Sequence, residues 1–371
     1  MSDPFLLSRA RLRFDRDDDD LLQELSAAAW TAEGDHLWVS SDEYLSIERL
    51  THLGGMVYGE HTSFAIGDLL ELQNADDEID IEGMSYSAPY LWFTGSHSYK
   101  RSKPKGKDPQ QDVQRLAQLK CDANRFTLGR IPLFGGMLHR TCSHPEHPER
   151  VLHAAGLPAT GEGNALTEAL EGDEHIGQIV ASHLPSKDNG LDIEGLVVGP
   201  EDPEEPGTQR VLLGLRGPVL RGWAMLIDIL VTEATPGHLS LKPVTEDGRL
   251  YRKHFLNLNG LGIRELCLRG DDLIVLGGPT MALEGEMRLF RLPNIFERTA
   301  DSLFNQPDDI DVLFDLPFTV GSDHAEGLAL LPCLGQPDAL MIIYDSPNPT
   351  RRVAPDTILM DVFRLPSFSG Q

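Results

Sequence analysis

A pentapeptide with one acid at its centre is written three times along this chain: Asp80-Ile81-Glu82-Gly83-Met84, Asp192-Ile193-Glu194-Gly195-Leu196 and His324-Ala325-Glu326-Gly327-Leu328. A weaker copy, Gly262-Ile263-Arg264-Glu265-Leu266, adds Glu265. Carboxylates repeated in phase are brought together wherever the repeats share an axis. Crowded there, they repel one another and their pKa values rise, unless a divalent cation is bound or basic side chains are interleaved. Glu82, Glu194, Glu265 and Glu326 are therefore candidate ligands of a metal ion, and Glu82 and Glu194 candidate general bases. Asp42 and Glu43 are further candidate metal ligands, and His97, His324 and Arg216 candidate catalytic groups, with Asp80, Asp192 and Asp345 close to the same positions. A second reading needs no ligand: each glutamate accepts hydrogen bonds from the backbone of the adjoining repeat and locks unit to unit, while the glycine after it relieves a close approach. Arg216 has the same two faces, since a guanidinium beside carboxylates either neutralises them or grips an anionic substrate.

The elements that must position these residues are strands. After each copy comes an apolar run of strand length: Leu91–Gly95, Val211–Leu215, Leu273–Gly277 and Leu340–Tyr344. A fifth unit without the acid, Leu25-Ser26-Ala27-Ala28, is followed by His36–Ser40. Apolar runs before the copies (Leu69–Leu72, Ile179–Ala181, Phe255–Leu258, Val312–Leu316) and after them (Trp223–Leu230, Met287–Leu292) bring the count to about four strands per unit. Four-stranded units repeated in line are the blades of a β-propeller, an all-β fold with a central channel. The repeats span residues 1–371 as one domain of five counted blades, six being possible, because the interval from Glu82 to Glu194 is 112 positions against 56 from Ser26 to Glu82. Helical signals favour insertions there, at about 98–125 and 139–175: Asp108-Pro109 opens one amphipathic run and Asn164 another. Such insertions are expected at one end of the channel as a lid. The N-terminal Leu6–Phe14 and C-terminal Thr357–Leu365 are expected to pair and close the ring.

With Lys+Arg 32 against Asp+Glu 58 the formal charge is −26. That charge repels phosphate backbones and anionic membranes, so neither nucleic acid nor membrane is an expected partner. Residues 1–5 lead into no apolar stretch of signal length, and the four cysteines form no Cys-x-x-Cys pair, so the expectation is a soluble cytoplasmic protein with reduced thiols. The run Asp15, Asp17–Asp20 reads as a solvated turn. The cationic stretch His97–Lys107 is either a solvated loop or a means of steering a phosphate or carboxylate substrate. The donors of His139–His147 match no structural zinc spacing. No nucleophile elbow, phosphate loop or dinucleotide fingerprint occurs.

Ser41-Asp42-Glu43, Asp80–Gly83, Lys187–Gly195, Gly214-Leu215-Arg216-Gly217-Pro218 and Asp323–Gly327 together resemble the bacterial family catalogued as domain of unknown function 3616, over nearly the whole chain. More distantly the acidic motif is similar to those of esterase-like phytases and gluconolactonase-type propellers. That resemblance implies calcium or a similar divalent ion in the channel and hydrolysis of an ester. The expectation is therefore a divalent-metal-dependent hydrolase of a small ester, lactone or phosphoester, taking a small anionic molecule. The alternative is a non-enzymatic propeller that binds a ligand or protein partner and uses its channel acids structurally.

Overall fold

The computed structural model describes residues 6–15, 19–75 and 77–366; Asp17 and Asp18 of the acidic run, and residues 1–5, lie outside them. Five antiparallel blades follow one another along the chain, the fifth joined to the first and the second to the third by short parallel pairs at their outer strands. The first blade is Leu25–Thr31, His36–Ser41, Ser46–Gly54 and Val57–Ala65, and the second is Ile81–Ser87, Tyr90–Gly95, Leu128–Phe134 and the short Ala155–Gly156. The third is Asp192–Glu201, Gln209–Leu220 and Trp223–Thr235, whose outer neighbours are His238–Lys242 and Tyr251–Leu256. The fourth is Gly262–Arg269, Asp272–Gly278, Arg288–Leu292 and Asp311–Asp315. The fifth is His324–Cys333, Gln336–Asp345, Thr357–Phe363 and the N-terminal Leu6–Arg13, so the two ends of the chain do close the ring. Each blade's first strand packs against those of its two neighbours, and the five complete a circle.

The two-residue period of a strand explains how the ring is held. In the third blade Leu196 and Val198 point to the second blade, where they pack with Trp92 and Leu128. Val197, between them, points to the fourth and packs with Ile263 and Val275. Backbones approach closely at the glycines of the repeat: a Cβ on Gly83 would lie 2.8 Å from the Glu194 carbonyl oxygen, and one on Gly195 would lie 2.6 Å from Leu266 Cγ.

Two of the apolar runs read as strands are not. Leu69 ends the short helix Ile66–Leu69, and Ile179–Ala181 lies in the helix Gly177–Ala181. An apolar run this short has no periodicity that separates the two states, and packing decides. The first insertion is a two-stranded ribbon, Lys100–Arg101 with Leu119–Lys120, carrying the helix Pro109–Leu116. The second holds a ribbon of Thr141–Ser143 with Val151–His153, then the outer strand of the second blade, then the helix Ala165–Glu171 capped by Asn164. The stretch 139–175 thus also carries the outer strand of the second blade.

Candidate functional site

Every inner strand breaks its ladder at one equivalent place. Pairing with the second strand skips Ser26, Glu82, Glu194, Arg264 and Glu326, leaving each as a bulge. Bulges re-aim a side chain, and here they set one position of the repeat around the channel axis. The register corrects the sequence alignment of the fourth copy. The residue equivalent to the glutamates is Arg264, and Glu265 occupies the glycine position. The signal was present in Ile81, Ile193 and Ile263, which precede the bulge in three blades. The ring is thus Ser26, Glu82, Glu194, Arg264 and Glu326.

Arg264 is buried between the acids of its two neighbours, its Nε 2.9 Å from Glu194 and its Nη2 on Glu326. Arg216 Nη1 donates to the other oxygen of Glu194 at 2.8 Å, stands 3.8 Å from Asp192, and donates through Nη2 to the Met281 carbonyl at 2.6 Å. Burial alone would make Arg216 easier to deprotonate, but Glu194 and Asp192 reverse this and raise its pKa. Burial pushes Glu326 up to about 7; Arg264 opposes the rise and Asp345 and Glu194 add to it. Asp192 is likewise pushed up to about 7, by burial and then by Glu194, against the pull of Arg216.

The opposite arc lacks a cation on the ring. Glu82 has no hydrogen-bond or ion-pair partner among the described residues, and burial, then Asp80, Glu194 and Glu326, push its carboxyl well above the usual range. Asp42, with a buried Oδ1 that has no hydrogen-bond partner among the described residues, is pushed up to about 8 by burial, then by Asp80 and Glu326. Asp80 differs. Burial would raise its pKa too, but Arg125 and Lys100 hold it low; Arg125 pairs with one oxygen and Lys100 stands 3.5 Å from the other.

Two positions are locks between blades. Ser26 Oγ donates to the Ile81 carbonyl at 2.6 Å. Glu265, fully buried, accepts from the Leu196 N–H of the third blade at 3.2 Å and from the Leu266 N–H at 2.8 Å. Glu265, taken as a metal ligand, is therefore the unit-to-unit clamp of the second reading. His97 sits in packing and not among the channel acids: it is 1% exposed, with Nδ1 2.9 Å from the Gly95 carbonyl and Nε2 2.9 Å from the Asn164 amide, and burial pulls its pKa down to about 4. Its sequence position at the end of a second strand gave no sign of the helix cap that covers it. Glu43 is exposed at the rim, near Glu78 and Lys100. His144 accepts from the Glu146 and His147 N–H groups, forming a turn in the stretch weighed for zinc.

Above the ring, a pocket of about 250 Å³ opens at the channel mouth. Arg216, Arg264 and Lys187 bring cations to it; Glu326 and the pair His324–Asp345, 3.5 Å apart, bring groups that exchange protons. The bond to Asp345 raises the pKa of His324. Met281, Leu283, Met287 and Phe318 supply an apolar side. Sequence reasoning had placed Arg216, His324 and Glu326 here; it missed Arg264 and the apolar wall.

A resident calcium ion needs six or more oxygen donors around one point. Glu194 and Glu326 are committed to Arg264, and Glu265 to two peptide N–H groups. Among the described residues no three His, Cys, Asp or Glu side chains form a group that could hold a metal ion. The donor set does not fit a calcium ion held by these glutamates.

Among curated proteins none matches the chain. Solved structures that are similar include the pyrroloquinoline-quinone-bound aldose sugar dehydrogenase of Streptomyces coelicolor, at 11% identity and TM-score 0.38, over 96% of this chain and 98% of that one. A luciferin-regenerating enzyme matches at 7% identity and TM-score 0.38, over 98% and 96%. A Bombyx mori beta-fructofuranosidase matches at 9% and 0.37, over 94% and 63%. No helix among the described residues is long and apolar enough to cross a membrane. The model of one family covers residues 24–361, from the strand that opens the first blade to the last strand of the fifth, and the chain belongs to that family, described as Protein of unknown function (DUF3616).

Proposed function

We propose that the channel mouth binds a small molecule with an anionic group on an apolar body, and that the chemistry done on it is acid–base hydrolysis of an ester or phosphoester. The observation that carries this reading is the sharing of Arg264 between Glu194 and Glu326 at the floor of the pocket. When Glu326 takes up a proton, its claim on Arg264 Nη2 weakens, and that donor is released to an incoming anion alongside Arg216. The rim cation Lys187 makes no ion pair among the described residues and adds attraction at the entrance. The apolar body rests on Met281, Leu283 and Phe318. His324, oriented by Asp345, and Glu326, with its pKa near 7, are the groups suited to moving a proton at neutral pH. The four free cysteines accord with a reducing, cytoplasmic setting.

The test is calorimetric titration with nitrobenzoate and nitrophenyl phosphate, followed by an assay of nitrophenyl phosphate and nitrophenyl acetate turnover. Binding is expected to carry proton uptake and to weaken as pH rises through about 7, with Glu326→Gln removing the pH dependence. Binding without turnover would assign the site to recognition alone. Affinity unchanged in Arg264→Lys and Lys187→Ala would contradict the proposed seat of the anion.

A further inference from the structure

The helix Pro109–Leu116 is well made and yet covers nothing. Asp108 caps it, accepting from the Gln110 and Gln111 N–H groups at 2.9 and 3.3 Å, and Pro109 stands in its first turn. The Asp112 carboxylate ties the preceding loop by accepting from the Lys105 and Gly106 N–H groups at 2.7 and 2.8 Å. Even so, none of its residues is buried, and Val113, Leu116 and the following Leu119 are 70%, 47% and 46% exposed. A helix of two turns does not persist in water on its own propensity, and an apolar face is not kept on a surface for solubility.

The root of this arm is fixed at the channel mouth. Lys100 pairs with Glu78 at 2.7 Å, and Arg101 with Asp188 at 2.6 Å. Asp188 is the neighbour of Lys187, which lines the mouth pocket. The other ribbon strand, Leu119–Lys120, pairs with this root and returns the chain to the second blade. Between positions 98 and 120 there are seven Lys or Arg and two Asp, in a chain of net charge −26. The pocket's own rim bears a second uncovered apolar patch: Leu283 is 60% exposed and Phe318 38%, with Val320 beside them at 76%.

From this placement we infer that residues 102–118 are a lid that swings on its Lys100–Arg101 root and closes over the mouth pocket. Val113, Leu116 and Leu119 meet Leu283, Phe318 and Val320, and the cations of the arm come to lie over Asp345, Glu284 and Glu43. The inference rests on the reading of the pocket as a ligand site, and it deepens that reading: the ligand is one small enough to be enclosed, and water leaves with closure.

The experiment bridges Leu116→Cys to Phe318→Cys in the full chain with a short bismaleimide, and maps the linked peptides by mass spectrometry. Leu116→Cys with Leu334→Cys, at the far end of the channel, is the control. The first pair is expected to bridge and the control not to; equal yields from the two pairs overturn the lid. Nitrobenzoate is expected to speed bridging. In Val113→Asp/Leu116→Asp, its dissociation is expected to quicken about tenfold with association little changed. If nitrobenzoate binds neither protein, the pocket reading falls, while the bridging yields still decide whether the arm closes.

Discussion

On the arc of the channel formed by the third to fifth blades, Arg264 stands between Glu194 and Glu326, with Arg216 behind it. On the arc formed by the first and second blades, Glu82 stands between Ser26 and Glu194, with Asp42 above it and no cation on the ring. Both arcs are built from the same repeat, and the residue at the bulge, arginine in the fourth blade and serine in the first, separates them. Where arginine replaces glutamate, two neighbouring acids acquire hydrogen-bonded partners. Where serine stands, its hydroxyl bonds the backbone of the next blade, and the acid beside it is left without a counter-charge on the ring. Burial without a partner is resolved by holding a proton. The channel is therefore divided into an arc whose ring acids Glu194 and Glu326 share Arg264, which forms the floor of the pocket, and an arc whose ring acid Glu82 has no cation beside it on the ring.

The largest effect that separates the two arcs is expected at Arg264. Arg264→Met strips both Glu194 and Glu326 of a buried partner, and a loss of about 3–5 kcal/mol is expected in urea unfolding. A loss below about 1 kcal/mol would mean that the two arcs do not differ in the way described.

Glu265→Ala and Ser26→Ala come next, as tests of the locks shared by both arcs. Glu265→Ala leaves the Leu196 N–H without its acceptor and should cost about 1–3 kcal/mol; Ser26→Ala should cost about 1 kcal/mol. Neither is expected to alter binding at the mouth. A loss of nitrobenzoate affinity in Glu265→Ala, with stability intact, would return Glu265 to the list of ligand-binding groups.

Arg216→Met is expected to lie between these in stability, because Glu194 keeps Arg264 while Asp192 loses its nearest cation. The smallest effect is expected at Lys187→Ala, which leaves unfolding unchanged within about 0.5 kcal/mol and weakens only anion binding, in proportion to its exposed position.

Much of this architecture is legible in the sequence, since strand-length apolar runs and a repeated motif demand a propeller and the two termini demand each other. The convergence of Glu82, Glu194 and Glu326 follows from the same repeat. The role of Arg264 does not, because matching acid to acid pulls the alignment one residue off. The alternation that fixes register is carried by Ile263, and only the bulge shows which neighbour faces the channel. The surroundings of His97 and Glu265 are hidden for a related reason. Whether a polar side chain at a strand end meets the channel or a covering segment depends on contacts across tens of residues, such as Asn164 on His97, which no local pattern encodes.

The pH dependence of folding stability, measured for the wild type, Glu82→Gln and Asp42→Asn, tests the division of the channel most directly. A carboxyl whose pKa is higher in the folded than in the unfolded chain contributes stability at low pH, and that contribution is lost as pH rises from the unfolded value through the folded one. For Asp42 the window runs from its ordinary 3.8 to about 8, and for Glu326 from 4.5 to about 7. The wild type is expected to lose stability steadily between about pH 5 and pH 8, with a slope of up to about 1.4 kcal/mol per pH unit for each such group. Glu82→Gln and Asp42→Asn should each flatten that slope and be the more stable protein at its alkaline end. A wild type whose stability is level or rising across this window, with both variants parallel to it, would contradict the account.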